Sequence, residues 1–209
     1  MNWMDLTLGE FQAHLASDDA TPGGGTAAAI ALGQAAALTE MVAGLTLGKE
    51  KWQSGWTAAE TARKVAVRIM VRSGELANED SEAFDSVVAG FKMPKSNEEE
   101  KDARRQSIRL ATLRAAEVPL STSQHGMELL NVLSDLATDG NANAASDVGV
   151  ASLLASAAVK GALFNVDINV ASLPDEMAQQ VIDQCSGMRE ECSRVSRLVM
   201  HAVHDRINS

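Results

Sequence analysis

Hydrophobic positions recur at helical spacing along the chain, most clearly between residues 57 and 91. In this segment the residues at every third or fourth position share one face of a helical wheel, and the charged residues lie elsewhere on the wheel. Its members follow alternating steps of four and three residues: Ala62, Ala66, Ile69, Ser73, Leu76, Asp80, Ala83 and Val87. The pattern predicts a long helix whose apolar seam contains one carboxylate, that of Asp80.

Two other segments, 25–47 and 146–164, are apolar on nearly every face and rich in small residues. Such segments are typical of central helices that neighbours surround. Near the N-terminus, Thr7 and Glu10 match a capping box and predict a short helix to about Ser17.

The second half of the chain carries further start and stop signals. Ser96 and Glu99 form a second capping-box pattern before a helix that we expect to end near Glu117. The pair Val118-Pro119 predicts a break there and the start of another helix that reaches Thr138.

The C-terminal region predicts one last helix, capped by Ser172 and Asp175 and reaching about Ile207. Residues 46–55 and 139–147 are polar connections, and "FNVDINV" (164–170) is ambiguous between helix and strand. No segment is a convincing strand. We therefore predict an all-α fold, an up-and-down antiparallel helical bundle that forms a single domain over residues 1–209.

Charge and composition limit the classes of partner that the protein can bind. The net charge of −10 and the pI near 4.8 argue against nucleic acid, and the basic stripe of Lys101, Arg105 and Arg109 is typical of a solvated helix face. The apolar segment 26–47 contains Gln34 and Glu40, which favours a buried helix over a membrane span. Two cysteines and no signal peptide predict a reducing, cytoplasmic location.

Asp80 is the first candidate for chemistry. A carboxylate on a core-facing position must be paired, reached by a cavity, or shifted in pKa. One interpretation is a buried acid that fixes helix register, and the other is a general acid/base in a cleft. The pattern alone leaves both open.

The stretch "TPGGGT" (21–26) places three glycines at a helix start. Residues 23–28 fit G-x-G-x-x-A, but no strand precedes them and the P-loop lysine is absent, which disfavours binding of NAD and ATP. An anion or polar ligand at the helix N-terminus and close backbone packing remain equal interpretations. His201 and His204 lack further ligands and are interpreted as surface residues, so no metal site is predicted.

Six stretches in register resemble the formiminotransferase–cyclodeaminase family, from about Leu6 to Ile207. They are "TPGGGTAAAIALGQAAALTEMVAGLTLGKEKW", "NEDSEAF", "MPKSNEEEKDAR", "VPL", "GNANAASDVGVA" and "FNVDINV". The resemblance is to the cyclodeaminase/cyclohydrolase domain. It implies a helical bundle that forms a homodimer and binds a folate derivative in a cleft near the subunit interface.

The resemblance also implies site residues. Asp80 matches the proposed catalytic aspartate in D-x-x-A-F, and Lys49 matches a position that is lysine or arginine, with a role in charge stabilisation or positioning. Threonine stands at 26 where serine is commoner. The implied substrate-binding residues are Pro22, Gly23, Gly24, Gly25, Thr26, Asn141, Asp147, Asn165 and Asn169.

Because the chain has no transferase domain, the resemblance favours a methenyltetrahydrofolate cyclohydrolase, which converts the 5,10-methenyl compound to 10-formyltetrahydrofolate. The alternatives are a formiminotetrahydrofolate cyclodeaminase, which releases ammonia on cyclisation, and a non-catalytic folate-binding module. No cofactor beyond the tetrahydrofolate substrate is expected. Asp80 is the predicted proton shuttle.

Overall fold

The computed structural model describes residues 1–208, which are almost entirely helical and contain no β-strand. Three short 3-10 helices, Trp3–Asp5, Glu50–Gly55 and Ala142–Ala144, accompany the α-helices. The α-helices are α1 (Leu8–Leu15), α2 (Gly24–Thr46), α3 (Trp56–Lys92), α4 (Glu98–Asp139), α5 (Ala145–Val170), α6 (Asp175–Cys185) and α7 (Met188–Asn208). The all-α prediction is confirmed.

Helices α2 to α5 form an antiparallel ring in which each helix packs against the next and α5 returns to α2. Helix α7 covers α4 and α5, and α6 packs against α4. The predicted antiparallel bundle is therefore confirmed. Its core is made of alanine, valine and leucine, and Leu129, Leu130 and Leu133 of α4 are fully buried. Burial of each such leucine contributes about 1.5–3 kcal/mol.

The predicted helix break at Val118-Pro119 is wrong, because α4 runs through it without interruption. Proline has no N–H, so the carbonyl of Ala115, four residues earlier, loses its helical donor. The side chain of Asn169 on α5 supplies a replacement: its Nδ2 donates to the Ala115 carbonyl at 2.8 Å. A donor from another helix thus lets α4 continue.

The single C-terminal helix is also wrong, because two helices, α6 and α7, occupy that region. They are separated at Ser186-Gly187, where Gly187 has a φ of +71° that only glycine adopts without strain. The predicted cap is absent too. Pro174 occupies the N-cap of α6, and Ser172 instead donates to the carbonyl of Ile168.

Two capping predictions have different outcomes. The Thr7–Glu10 capping box is confirmed, with reciprocal hydrogen bonds of 2.8 and 3.3 Å. At the start of α4 the predicted Ser96–Glu99 box is absent: Asn97 is the N-cap, and its side chain accepts from the backbone of Glu100 at 2.8 Å. The predicted Ser96 contributes only its backbone N–H, to the Glu100 carboxylate.

Helix α5 extends to Val170 and so includes the ambiguous "FNVDINV" stretch as helix. Both α2 and the segment Ala142–Val170 are long and apolar enough to cross a membrane, and about half of each is buried inside the single chain. Core helices of soluble proteins meet the same criteria. Outside the buried part, each helix exposes some large apolar side chains, which are Met41 and Leu45 on α2 and Val150, Leu153, Phe164 and Ile168 on α5.

Candidate functional site

The candidate site lies where the N-terminus of α2 meets the middle of α3. Gly23 is the N-cap of α2 and, lacking a side chain, leaves the first turn without a side-chain cap of its own. The carboxylate of Asp80, from α3, occupies that position: it accepts a hydrogen bond from the backbone N–H of Thr26, and its Oδ2 also accepts a 2.8 Å hydrogen bond from the Thr26 hydroxyl. An acid from a neighbouring helix therefore replaces the local cap.

Gly25 is required by this close approach. A methyl group built on its Cα would overlap the Asp80 carboxylate. Gly24 is different, since a methyl group there would meet only the Asn165 amide at 3.7 Å, an ordinary contact. Both interpretations of the glycine stretch, an anion at the helix N-terminus and close packing, therefore apply at Gly25. The anion is the carboxylate of the protein's own Asp80.

Asp80 ends a chain of hydrogen bonds with a defined direction. The indole N–H of Trp3 can only donate, and it does so to Ser81 Oγ at 2.9 Å. Since the Thr26 hydroxyl donates to Asp80, the 3.1 Å contact between the two hydroxyls must run from Ser81 to Thr26. Three donors in series therefore point towards the carboxylate, and each polarises the next.

Burial raises the pKa of Asp80 above the usual value for aspartate, while hydrogen bonds from the side chain and the backbone of Thr26 act in the opposite direction. Desolvation is the larger effect, so the net direction is upward. A raised pKa brings the acid closer to neutrality, where one carboxyl group can both accept and return a proton.

Asn165 and Asn169 lie on the last turns of α5, close to the same helix start. Asn169 Nδ2 donates to the carbonyls of Ala115 and Asn165, and Asn165 Nδ2 donates to that of Gly161. Within residues 1–208 no group donates a hydrogen bond to their side-chain oxygens, which are therefore available as acceptors. These two asparagines therefore adjoin the Asp80 site, with their amide donors already engaged in the fold.

Three other predicted residues lie at the opposite end of the bundle. Lys49 follows α2, and the side chain of Asn141 donates to the carbonyl of Leu45 near the end of that helix. Asp147 lies in the first turn of α5 beside them. The 20 residues from Thr26 to the end of α2 span about 30 Å at 1.5 Å per residue. Within one chain, these residues and Asp80 form two separate groups.

Three residues near Asp80 were missed as site residues. Ser81 and Trp3 build the hydrogen-bond chain, and no periodicity identifies a partner 78 positions away in the sequence. Phe84 lies one turn after Asp80 and is 42% exposed, although it is a large aromatic residue. Its place at i+4 from Asp80 is the signal that could have identified it, because i and i+4 share a helix face.

The fold and the site together define a class of protein: an antiparallel helical bundle in which a half-buried acid caps a glycine-rich helix from the side. The chain belongs to the formiminotransferase-cyclodeaminase family, whose sequence profile matches residues 7–187.

Two curated relatives and one solved structure illustrate the membership. A methenyltetrahydrofolate cyclohydrolase of Methylorubrum extorquens is 33% identical over 97% of this chain and 98% of that protein. The formimidoyltransferase-cyclodeaminase of Rattus norvegicus is 28% identical over 97% of this chain, which spans only 38% of the rat protein. The crystal structure of formiminotetrahydrofolate cyclodeaminase from Thermotoga maritima matches with a TM-score of 0.85 and 28% identity, over 97% and 98% of the two chains.

Proposed function

We propose that this protein is a methenyltetrahydrofolate cyclohydrolase, which hydrolyses 5,10-methenyltetrahydrofolate to 10-formyltetrahydrofolate. The observation that carries the proposal is the Asp80 carboxyl group, half-buried at a helix start with its pKa raised by desolvation. The 33% identical relative with this name matches this chain over nearly its whole length.

In the proposed mechanism, Asp80 accepts a proton from water as the water oxygen bonds to the methenyl carbon. The bond from that carbon to N5 then breaks, Asp80 returns the proton to N5, and the second proton of the water leaves to solvent as the formyl C=O bond forms. The Thr26 hydroxyl stabilises the charged form of Asp80 before the first step and after the second. An ionised carboxylate also favours the cationic substrate electrostatically. No cofactor beyond the tetrahydrofolate substrate takes part in this proposal.

The surrounding residues have supporting roles in the proposal. Pro22 and Gly23–Thr26 form the floor beneath the reacting carbon, and the free side-chain oxygens of Asn165 and Asn169 accept hydrogen bonds from the pterin. The exposed ring of Phe84 offers an aromatic face to a substrate that contains two ring systems. Each role predicts a loss of substrate binding on substitution.

The test is loss of methenyl absorbance with the purified protein. Asp80→Asn keeps the shape of the side chain and removes its proton transfer, so turnover should fall by about 100-fold or more. Glu82→Gln is the matched control, since Glu82 is an exposed acid two residues away on α3. Wild-type turnover in a folded Asp80→Asn protein would overturn the role of Asp80.

A second candidate reaction is formiminotetrahydrofolate cyclodeamination, in which N10 attacks the formimino carbon and ammonia leaves. The Thermotoga maritima cyclodeaminase favours it, because 98% of that chain is matched by this one, without a long additional domain. An ammonia-release assay with formiminotetrahydrofolate separates the two reactions. If neither substrate turns over but folates bind, the protein is a non-catalytic folate-binding module.

We also propose a homodimer formed through the uncovered apolar side of α2 and α5. These neighbouring helices expose large side chains at helical spacing, and contiguous apolar patches mark association surfaces. The residues concerned are Met41, Leu45, Val150, Leu153, Phe164 and Ile168. If a second copy buries this surface, the apolar character of α2 and α5 needs no membrane to account for it. We also propose a cytoplasmic location, which accords with the two free thiols.

A two-fold axis across this surface reverses one copy relative to the other. The end of α2 that carries Lys49 then lies beside Asp80 of the other subunit, together with Asn141 and Asp147. In this arrangement the two groups of predicted residues, about 30 Å apart in one chain, complete one folate site. Lys49 then stabilises charge or positions substrate across the interface.

Sedimentation of Leu153→Glu tests the surface, with Val71→Glu on α3 as an equally exposed control. We expect a monomer for Leu153→Glu and a dimer for the control. If Lys49 acts across the interface, Lys49→Met lowers turnover in the dimer and changes nothing further in the Leu153→Glu background. A dimer that persists in Leu153→Glu would place the interface elsewhere.

A further inference from the structure

The N-terminal 3-10 helix, Trp3–Asp5, is fixed against the middle of α3. The backbone N–H of Trp3 donates to Asn78 Oδ1 at 2.9 Å, and the Asn78 amide donates to Asn2 Oδ1 at 2.8 Å. Trp3 is only 8% exposed, and its ring packs edge-on against that of Phe11. These contacts hold the indole N–H at one place beside α3.

The indole N–H determines the direction in which the Ser81 hydroxyl donates. Ser81 Oγ lies 2.9 Å from Trp3 Nε1, which can only donate, and 3.1 Å from Thr26 Oγ1. Many helical serines donate to the carbonyl four residues earlier, as Ser86 does to Glu82. Within residues 1–208 Ser81 makes no such bond, and the Thr26 oxygen is the one acceptor in reach of its proton. Ser81 therefore donates to Thr26.

Thr26 is constrained in the same way. Its oxygen accepts from Ser81, and its single proton goes to Asp80 Oδ2 at 2.8 Å. If a protonated Asp80 donated to Thr26 instead, both hydroxyls would have to turn round. The Ser81 proton would then point at the indole N–H of Trp3, and two donors would face each other. The indole therefore keeps Thr26 donating to the carboxyl group in its charged and its neutral form.

We propose that Trp3 is a positioning residue for the reaction, because its indole N–H prevents Asp80 from sharing its proton with Thr26 and so leaves that proton free for the substrate. The inference rests on the proposed function and adds to it a residue from the N-terminal segment. Trp3 acts only through the two hydroxyl groups, since the hydrogen bonds from Ser81 and Thr26 stand between the indole and the carboxyl group.

Neighbouring charges do not account for the behaviour of Asp80. Burial and the hydrogen bonds from Thr26 are the causes of its shifted pKa, and no charged side chain within the described residues is among them. On the N-terminal side the titratable neighbour is His14, whose ring lies edge-on to Trp3 with 5.7 Å between the centroids. On α3, the adjacent Glu79 is paired with Arg72 and with an arginine of α4.

The test is the acidic limb of kcat/KM for methenyltetrahydrofolate hydrolysis in the wild type, Trp3→Phe and Ser81→Ala. Trp3→Phe keeps an aromatic ring and removes the N–H, and Ser81→Ala interrupts the chain one step nearer to Asp80. Each should move the limb to higher pH by about 0.3 pH unit, roughly a twofold change in proton affinity, because hydrogen bonds in series strengthen one another. In a Thr26→Ala background neither change should move the limb further.

Phe11→Leu is the matched control, since it removes the aromatic neighbour of Trp3 and no hydrogen bond. It should lower the melting temperature and leave the acidic limb in place. His14→Gln should leave it in place too, which excludes titration of that ring as its origin. An unchanged limb in Trp3→Phe, or a shift of equal size in the Thr26→Ala background, would overturn the inference.

A second measurement separates this inference from the proposed reaction. Carbon-13 NMR of protein labelled at the aspartate carboxyl carbons follows the protonation of Asp80 without substrate, and Asp80→Asn assigns the resonance. If no folate turns over but the carboxyl group titrates at higher pH in Trp3→Phe, the reaction is wrong and the control of the proton by Trp3 stands. If folates turn over and Asp80 titrates identically in both proteins, the reaction stands and the role of Trp3 is wrong.

Discussion

Trp3 and Asp80 lie at the two ends of one hydrogen-bond chain, with the hydroxyls of Ser81 and Thr26 between them. Because the one hydroxyl proton of Thr26 goes to the carboxylate, Ser81 must donate to Thr26, and the indole can only donate to Ser81, so all three hydrogen bonds have the same direction. The N-terminal 3-10 helix therefore influences a carboxylate on α3 through two buried hydroxyl groups. A change anywhere along the chain should alter the affinity of Asp80 for its proton.

The first prediction concerns Thr26. Its hydroxyl favours the charged form of Asp80, so Thr26→Ala should raise the pKa of Asp80 further. If Asp80 must be ionised in the free enzyme to accept a proton, the acidic limb of kcat/KM then moves to higher pH. The measurement is a pH profile of methenyltetrahydrofolate hydrolysis.

Thr26→Ser is the matched control, because it keeps the hydroxyl and should leave the acidic limb where the wild type has it. Loss of the hydroxyl in Thr26→Ala should also destabilise the protein by about 1 kcal/mol. An acidic limb that is the same in all three proteins would show that the observed ionisation does not belong to Asp80.

The second prediction concerns Gly25. In Gly25→Ala the new methyl group must displace the Asp80 carboxyl group, which can rotate at modest cost because it is the end of a side chain. We therefore expect a folded protein that has lost the Thr26–Asp80 hydrogen bond and about tenfold or more of its turnover. Gly24→Ala is the control, since its methyl group finds ordinary contacts and leaves the Thr26–Asp80 hydrogen bond in place. Its turnover at saturating substrate should stay within about twofold of the wild type, and any weaker substrate binding should appear in KM alone. Equal turnover in the two variants would contradict the requirement for close approach at residue 25.

The third prediction separates a structural role of Asp80 from a catalytic one. Its raised pKa means that the folded state binds this proton more tightly than the unfolded state. The contribution of this group to stability is therefore greatest at low pH and falls as pH rises from the usual aspartate value through the raised one. Asp80→Asn has no such titration, so at pH 8 its melting temperature should equal or exceed that of the wild type.

The comparison should be repeated at several pH values, where the difference between the two melting temperatures narrows on acidification. Glu82→Gln, an exposed neighbour, controls for the change in net charge. A melting temperature of Asp80→Asn several degrees below the wild type at pH 8 would indicate that the carboxylate serves to hold α2 and α3 together. A protein that gains stability while losing turnover is the result expected for a functional acid.

Sequence periodicity was sufficient to predict the bundle and the place of Asp80 on the inner seam of α3. Both follow from local rules, since the spacing of apolar residues determines which face of a helix is buried. The glycine stretch was also recognised, but its purpose was not. Whether Gly25 faces a ligand or another helix depends on which residue lies opposite it, and the spacing along one helix contains no such information.

The errors have the same origin. Pro119 is a correct local signal for a break, and a donor 50 residues later in the chain overrides it. At Gly187 the opposite occurred, because a glycine within an otherwise helical pattern was tolerated in the prediction and proved to end the helix. The sequence pattern likewise did not show that Lys49 and Asp80 lie far apart in one chain, because their distance depends on the length and direction of α2.

The last prediction tests the relationship between Pro119 and Asn169. In Asn169→Ala the buried carbonyl of Ala115 loses its donor, which should lower the free energy of unfolding by about 1–3 kcal/mol. In Pro119→Ala the new backbone N–H can donate to the same carbonyl and complete the helix. The cost of Asn169→Ala should then be smaller in the Pro119→Ala background than in the wild type. Urea unfolding of the four proteins gives the coupling free energy directly. A cost that is the same in both backgrounds would mean that Asn169 stabilises the protein by other contacts, and that the carbonyl at Ala115 needs no donor from α5.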